Sequence, residues 1–324
     1  VFAKYPEEAE ALSDFTYYDN FTSRYLYTVD ALPYIIGGLD CDEEDYEVRA
    51  YLESPLIAEV EKRGYIPGVY TDSIPYLTEG MLQFENVVNN KLVLKEPIAF
   101  AKVWLRMVGY KYTPYPLKRY SQVLPMEFSS HFEGSNTDRL WGFEESNNYF
   151  YRECTDMTYS LDKDKRFKFI HLRGAHYPFT YYPDMTEGVY TSYEDNVRAV
   201  NTMLAAYVER LKEDGCYDNS VVIVMGDHGI GFDELAAEHG RQDPVLMIKG
   251  IGERHDAMRI DSAPLCQEDL PDAYMRLLDK AGSEGLFDYK EGDKRDRIIY
   301  FPDGTYIQTG QASDIDTLVR IDDD

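Results

Sequence analysis

The chain has 324 residues, 44% of them hydrophobic, which suits one large globular α/β domain with or without an appendage. Its formal net charge of −26 argues against a nucleic-acid partner, because phosphate backbones are bound by an excess of Lys and Arg. The four cysteines have no CxxC spacing, and the sequence shows neither an apolar run long enough for a membrane span nor a signal-peptide leader.

The first half of the chain carries few strong local patterns. Residues 54–62 place apolar side chains at an i, i+1, i+4 spacing among charged ones, which predicts an amphipathic helix. A strand is expected directly after it, at 66–70. The acidic residues at 40–47 indicate a solvated loop, and the aromatic side chains of the tyrosine-rich region 110–160 suit either a core or a ligand-binding surface.

The second half alternates strand and helix patterns. Strand, helix and strand are expected at 167–172, 190–214 and 221–225, an order that implies a right-handed parallel crossover. Both strands would then end at the same edge of one sheet. Further along, the sequence predicts a strand at 245–249, a helix at 269–278 and, around Pro302-Asp-Gly304, a hairpin over 297–307.

The apolar run at 221–225 ends abruptly in Asp227 and His228, and this is the most informative motif of the chain. An acid and an imidazole at the carboxyl edge of a sheet suggest a metal or phosphate site, although a polar loop after a strand has the same appearance. The crossover would bring His176 to the same edge, and His239 follows shortly downstream. Such Asp and His ligands suit Zn²⁺ or Mn²⁺ better than Ca²⁺.

Three motifs together resemble a known family. Gly226-Asp-His-Gly229, Glu238-His-Gly240 and the upstream Gly174-Ala-His-Tyr-Pro178, separated by a helix, are similar to motifs of the alkaline-phosphatase-like superfamily. The sulfatase-like branch, which contains lipoteichoic acid synthases and phosphoethanolamine transferases, is the most similar. The resemblance covers most of residues 10–280.

The resemblance implies a fold and a role for each motif residue. The fold would be a mostly parallel central sheet with helices on both faces, forming a catalytic domain over 1–283 that carries a small C-terminal β-hairpin region at 284–324. In that branch the counterparts of Asp227 and His228 bind the metal. The counterpart of His176 contacts the transferred phosphate, and that of His239 assists at the substrate.

The segment from Phe21 to Gly38 is similar to the family's nucleophile segment, and Thr28 falls at the position of the catalytic threonine. Thr28 would therefore be both the nucleophile and a metal ligand. The Cys-x-Pro-Ser-Arg pattern of true sulfatases is absent, which favours phosphoryl transfer over sulfate-ester hydrolysis. A threonine that caps a helix beginning near Val29 is the alternative interpretation.

The sequence also departs from the family pattern. A strand that ends in an acidic metal ligand is expected ahead of Val1, and residues 1–14 then read as the helix that follows it. The Trp and Arg pair with which lipoteichoic acid synthases read glycerol phosphate is missing after the second strand. Arg139, in the 110–160 region, is a candidate for substrate binding instead.

The resemblance implies a phosphotransferase that uses one divalent metal ion, Mn or Zn, and a phospho-threonine intermediate. It would move a phosphoglycerol or phosphoethanolamine headgroup from a phospholipid donor to an envelope glycan or lipid acceptor. We expect it at the extracytoplasmic face of the bacterial cell membrane, attached through segments absent from this chain. The alternatives are a phosphodiesterase, phosphatase or sulfatase-like hydrolase of the same fold, or a degenerate binding domain.

Overall fold

The computed structural model describes most of the chain. The described residues are 2, 4–71, 93–94, 96–120, 132–133, 147–148, 150–152, 165–230, 242–280 and 282–321. Their α-helices are α1 (Pro6–Glu10), α2 (Thr28–Gly37), α3 (Tyr46–Leu52), α4 (Pro55–Lys62), α5 (Pro97–Tyr112), α6 (Tyr193–Glu213) and α7 (Leu270–Lys280).

The strands of the first half are short apart from β3 and β6. They are β1 (Thr16–Tyr18), β2 (Phe21–Thr22), β3 (Tyr65–Thr71), β4 (Val93–Leu94), β5 (Phe132–Glu133) and β6 (Lys165–His171). The second half contributes β7 (Val222–Met225), β8 (Leu246–Lys249), β9 (Arg259–Asp261), β10 (Leu265–Cys266), β11 (Arg297–Phe301), β12 (Gly304–Gln308) and β13 (Leu318–Ile321).

The main sheet has the strand order β7-β8-β1-β9. In it β8 runs antiparallel to both β7 and β1, whereas β1 and β9 are parallel. A separate parallel pair joins β3 to β6, with Tyr65 opposite Lys165 and Thr71 opposite His171. The α/β class is thus confirmed, but the sheet is mixed rather than mostly parallel. The reason is that an alternation of strand and helix patterns does not encode the direction of β8, which can return antiparallel without a crossover helix.

Helices cover both faces of the strands. On one face α6 packs across β6 and β7, with Met203 beside Ile170 and Val208 beside Val222 in two adjoining apolar clusters. On the other face, Ile223 packs against a core cluster that contains residues of α2 and α7. Because successive side chains of a strand point to opposite faces, β7 contributes to both layers. Its residues are partly buried.

Most locally predicted elements are confirmed. The helix over 54–62 is α4, whose Ser54 hydroxyl accepts a 3.1 Å hydrogen bond from the Ile57 amide as an N-cap. The helix over 190–214 is α6, which begins with a capping box at Ser192. Two expectations need correction. Among the described residues of 1–14, the helix α1 covers only Pro6–Glu10, and the acidic loop at 40–47 gives way to α3 at Tyr46.

The C-terminal hairpin is confirmed as β11 and β12, and β13 extends it to three antiparallel strands. Arg297 of β11 is completely buried, and its guanidinium donates to the backbone and side-chain oxygens of Asn20 at 2.9 Å. Burial lowers the pKa of Arg297 to about 10. The division of the chain at 283/284 stays a prediction.

In the part of the chain that the structure describes, no helix has the length and apolar character needed to cross a membrane.

Candidate active site

The candidate site begins where β7 ends. Gly226 donates a 2.9 Å backbone hydrogen bond to Val245, and a Cβ atom on it would lie only 2.9 Å from the Cβ atom of Pro244. A glycine therefore lets the chain pass close to Pro244 before it turns. Asp227 and His228 follow immediately, at the end of the strand as the sequence predicted.

The side chains of Asp227 and His228 converge. His228 Nε2 lies 3.7 Å from Asp227 Oδ2. His228 Nδ1 lies 2.7 Å from the Gly229 carbonyl oxygen, a contact that requires a proton on Nδ1 and so leaves the Nε2 lone pair free in the neutral ring. Asp227 Oδ2 is buried and accepts no hydrogen bond from the described residues.

These two side chains fit a divalent metal ion. A buried carboxylate oxygen without a hydrogen bond is costly unless a cation compensates it, and an imidazole lone pair beside it supplies a second ligand. The bond from Nδ1 to a backbone carbonyl is the orientation that metal-binding histidines commonly adopt. Within the described ranges no group of three or more His, Cys, Asp or Glu side chains could hold a metal ion, and the assignment of Asp227 and His228 as metal ligands stays a prediction.

Two buried glutamines connect the Asp227 loop to the chain segment that leads into α2. Gln267 accepts a 2.7 Å hydrogen bond from the Arg24 amide and donates one of 2.6 Å to the Asp227 carbonyl oxygen. Gln242 accepts hydrogen bonds from the Ser23 hydroxyl and, at 3.3 Å, from the Gly229 amide. The two glutamines therefore hold residues 23–24 against the loop that carries Asp227 and His228.

Thr28 lies four residues beyond this connection, as the first residue of α2. The N-cap position belongs to Tyr27, and no side chain caps the helix, so the alternative that Thr28 serves as a cap does not hold. Thr28 is partly buried, and its hydroxyl forms no hydrogen bond with any described residue. The amino end of a helix favours negative charge, which suits an anionic group at this position.

His176 follows β6 and is exposed, with its Nδ1 in contact with the Tyr177 carbonyl oxygen. The chain runs from β6 through α6 to β7 in the expected order, but among the described strands β6 pairs with β3, in a sheet separate from the one that contains β7. The expected parallel crossover within one sheet is therefore not confirmed. No hydrogen bond or ion pair between described residues joins His176 to Asp227 or His228. The proximity of these side chains stays a prediction.

Two predicted site residues, His239 and Arg139, lie outside the described residues. Conversely, sequence reasoning missed Gln242 and Gln267. Gln242 follows Glu238-His-Gly240 closely, and that position was the only signal that could have pointed to it. Gln267 belongs to no motif, and its role follows from its hydrogen bonds alone.

A family model described as Sulfatase matches residues 105–304, which is well over half of the chain. The chain belongs to the sulfatase family. The family contains sulfatases, phosphotransferases and other hydrolases, and its members use divalent metal ions. No curated protein matches the sequence significantly.

Solved structures show the same superfamily fold at low identity. The lipoteichoic acid synthase LtaP from Listeria monocytogenes is 14% identical, with a TM-score of 0.53 over 94% of this chain and 76% of that one. A protein of the alkaline phosphatase superfamily from Vibrio parahaemolyticus is 11% identical, with a TM-score of 0.51 over 97% and 75%. A Bacteroides thetaiotaomicron chain, described under the metabolism of multiple glycosaminoglycans, is 11% identical, with a TM-score of 0.56 over 93% and 80%. The family model confirms the resemblance to the sulfatase-like branch, and these structures share its fold.

Proposed function

We propose that this chain is a metal-dependent phosphotransferase with Thr28 as its nucleophile. It moves a phosphoglycerol or phosphoethanolamine headgroup from a phospholipid to an envelope glycan or lipid. The observation that carries the proposal is the buried, unpartnered Asp227 Oδ2 beside His228 Nε2, on a loop tied by Gln267 to the segment that leads to Thr28. The fold shared with a lipoteichoic acid synthase is consistent with it.

The proposed reaction has two steps. In the first, Thr28 Oγ1 loses its proton and forms a bond to phosphorus, the ester bond to the lipid glycerol breaks, and the lipid alcohol leaves with a proton. In the second, an acceptor hydroxyl loses its proton and attacks phosphorus, and the threonine hydroxyl is regenerated. A divalent cation, Mn or Zn, bound by Asp227, His228 and Thr28 would lower the pKa of the threonine hydroxyl and stabilise charge at phosphorus.

The remaining residues take positioning and proton-transfer roles in this proposal. His176 contacts the transferred phosphate, His239 assists at the lipid or acceptor oxygen, and Arg139 binds the headgroup. The amino end of α2 adds partial positive charge near the phosphoryl oxygens. In this proposal the protein acts at the extracytoplasmic face of the bacterial membrane.

The main test is direct detection of the covalent intermediate. The chain is incubated with Mn²⁺ or Zn²⁺ and with phosphatidylglycerol or phosphatidylethanolamine in detergent, and peptides are mapped by mass spectrometry. A headgroup phosphate on Thr28 is expected in the wild type and none in Thr28→Ala, while Thr28→Ser, which keeps a hydroxyl, retains an adduct. An adduct at another residue, or equal turnover in Thr28→Ala, would refute the mechanism.

The metal assignment has its own test. Bound Mn and Zn are measured in the wild type, in Asp227→Asn, and in Asp256→Asn as a control that removes an exposed carboxylate elsewhere. We expect at least tenfold weaker metal binding in Asp227→Asn, because an anionic ligand is lost, and no change in the control. Equal affinity in all three proteins would contradict the ligand assignment.

A hydrolase of the same fold is the second candidate function, and the fold shared with the Bacteroides thetaiotaomicron chain is consistent with it. In that case water takes the place of the acceptor in the second step. Added acceptor glycan or glycolipid increases product formation only for a transferase. A rate of headgroup release that is indifferent to every acceptor would favour hydrolysis.

A further inference from the structure

The helix α5 and the turn that follows it, residues 97–118, expose many large apolar side chains. We call this region the α5 surface. The helix has no buried residue. Large apolar side chains on it are strongly exposed: Ile98 at 78%, Leu105 at 61% and Tyr112 at 76%. These three residues are spaced by seven positions and therefore share one face of the helix.

Apolar exposure is not confined to this stripe. Trp104 and Met107, on other sides of the helix, are also exposed, as are Tyr115 and Leu117 just beyond it. None of these side chains belongs to an apolar core cluster of the described residues. An exposed apolar area of this kind usually marks an interaction site.

The charge of the α5 surface is opposite to that of the whole protein. Residues 97–118 contain four cationic side chains and no Asp or Glu, although the chain carries a net charge of −26. Lys102 and Lys111 are exposed and, by the helical repeat, lie on opposite sides of the stripe formed by Ile98, Leu105 and Tyr112. Long lysine side chains in this position can lie along an apolar surface while their ammonium groups reach outward.

We propose that the α5 surface docks on a bilayer that contains anionic phospholipids. Its apolar stripe would enter the acyl-chain boundary, with Lys102 and Lys111 at the level of the lipid phosphates. Trp104 and Tyr112 suit the interface between headgroups and acyl chains, where amphipathic aromatic rings are favoured. A helix of 16 residues interrupted by charges is too short to span the bilayer and so lies in its plane.

The charge of the α5 surface favours an anionic bilayer and determines which side of the protein faces it. An anionic bilayer repels acidic surfaces, so we expect the cationic α5 surface to be the side of the protein that faces it. Docking would hold the molecule beside its proposed lipid donor. Docking does not depend on the transfer chemistry, so the Thr28→Ala variant is expected to bind vesicles as well as the wild type does.

The test is flotation of the 324-residue chain with vesicles of phosphatidylcholine containing either phosphatidylglycerol or phosphatidylserine. Equal binding to the two anionic lipids is expected, because surface charge and not a substrate headgroup is recognised, together with little binding to phosphatidylcholine alone. Binding that requires phosphatidylglycerol would instead indicate headgroup recognition in the active site and would overturn the proposal.

Paired variants locate the contact. Lys102→Gln with Lys111→Gln should lower the partition coefficient roughly thirtyfold, the factor expected when two basic residues leave an anionic surface. Lys290→Gln with Lys294→Gln removes the same charge from another exposed segment and should leave binding close to that of the wild type. Equal losses in both pairs would mean that net charge alone controls binding, and would overturn the assignment.

Apolar contact is tested in the same way. Ile98→Ser with Leu105→Ser should abolish flotation, whereas Val189→Ser with Tyr190→Ser, at residues that are 83% and 79% exposed, should not. All four positions are exposed, so the variants should fold, which circular dichroism checks. If sedimentation velocity shows a wild-type dimer that the first pair dissociates, with no vesicle binding, a second copy of the chain covers this surface and the proposal fails.

Tryptophan fluorescence gives an independent readout. The chain has two tryptophans, Trp104 and Trp141, so Trp141→Phe leaves Trp104 as the only reporter. Its emission should shift to shorter wavelength with anionic vesicles and be quenched by brominated acyl chains. Vesicle binding without a change in Trp104 emission would place the membrane contact elsewhere and refute the proposal.

Discussion

Replacing Gln267 by leucine should loosen the connection between the Asp227 loop and the segment that leads to Thr28. Gln267 is completely buried, and its amide group satisfies two backbone groups, the Arg24 amide at 2.7 Å and the Asp227 carbonyl at 2.6 Å. Leucine has a similar volume but can bond to neither. The variant therefore removes the connection while largely preserving the packing.

The magnitude follows from the two hydrogen bonds. Each buried backbone group left without a partner costs about 1–3 kcal/mol, so Gln267→Leu should lower the free energy of unfolding by about 2–6 kcal/mol. Freedom gained by the Asp227 loop should also weaken metal binding. Loss of a residue that orients a metal ligand typically costs about 10–100-fold in affinity.

The assay combines urea unfolding with titration of Mn²⁺ and Zn²⁺, and Gln308→Leu is the matched control. Gln308 is also buried, and its amide nitrogen donates to Asp314 O at 3.0 Å and to Thr317 Oγ1 at 2.7 Å, within the C-terminal hairpin region. Both variants should be destabilised, but only Gln267→Leu should lose metal affinity. A change in unfolding free energy below about 0.5 kcal/mol, or equal metal affinity in the two variants, would refute the reasoning.

Three further predictions concern stability. Burial raises the pKa of Asp243 from 3.8 to about 7. Between these two pH values the folded protein keeps a proton on Asp243 that the unfolded chain has released. The stability that this proton contributes is complete below the unfolded pKa and is lost as the pH rises towards 7. Asp243→Asn should accordingly stabilise the protein by roughly 2 kcal/mol more at pH 8 than at pH 5 in urea unfolding, and a pH-independent effect would contradict the shift. Ser54→Ala removes the N-cap bond to Ile57 and should cost about 1 kcal/mol, while Ser54→Thr should cost less; equal melting curves for wild type and Ser54→Ala would argue against the cap. Gly37→Ala should cost about 1–3 kcal/mol or more, because the new methyl carbon would lie 2.7 Å from the Ala50 Cα atom, and an unchanged melting temperature would show that α2 and α3 can separate freely.

Much of the secondary structure follows from local sequence. The periodicity of α6 and the cap of α4 involve contacts between residues three or four positions apart, and both helices were predicted with nearly correct ends. The strand β7 and the C-terminal hairpin were likewise predicted from apolar runs and turn residues. The direction of the strands was not predicted. The alternation of strands and helices does not determine which strand β8 pairs with, nor whether it runs parallel or antiparallel to that strand.

The candidate site, too, was predicted only in part from the sequence. Asp227 and His228 stand side by side in the sequence, so a motif at the end of a strand was enough to predict that they converge. The direction of His228 Nε2, the burial of Asp227 Oδ2 and the position of Thr28 as the first residue of α2 are set by the tertiary structure. Whether His176 and His239 join them stays a prediction.

The sequence by itself therefore determined the acidic, α/β, sulfatase-like character of this protein and its Asp227-His228 motif, because composition, periodicity and adjacent residues are local properties. Only the tertiary structure decided that the sheet is mixed and that two glutamines hold the site together. Gln242 and Gln267 bond to Ser23 and Arg24 across 219 and 243 positions of sequence. A buried amide finds such partners through the packing of the whole chain, which no local pattern of residues records.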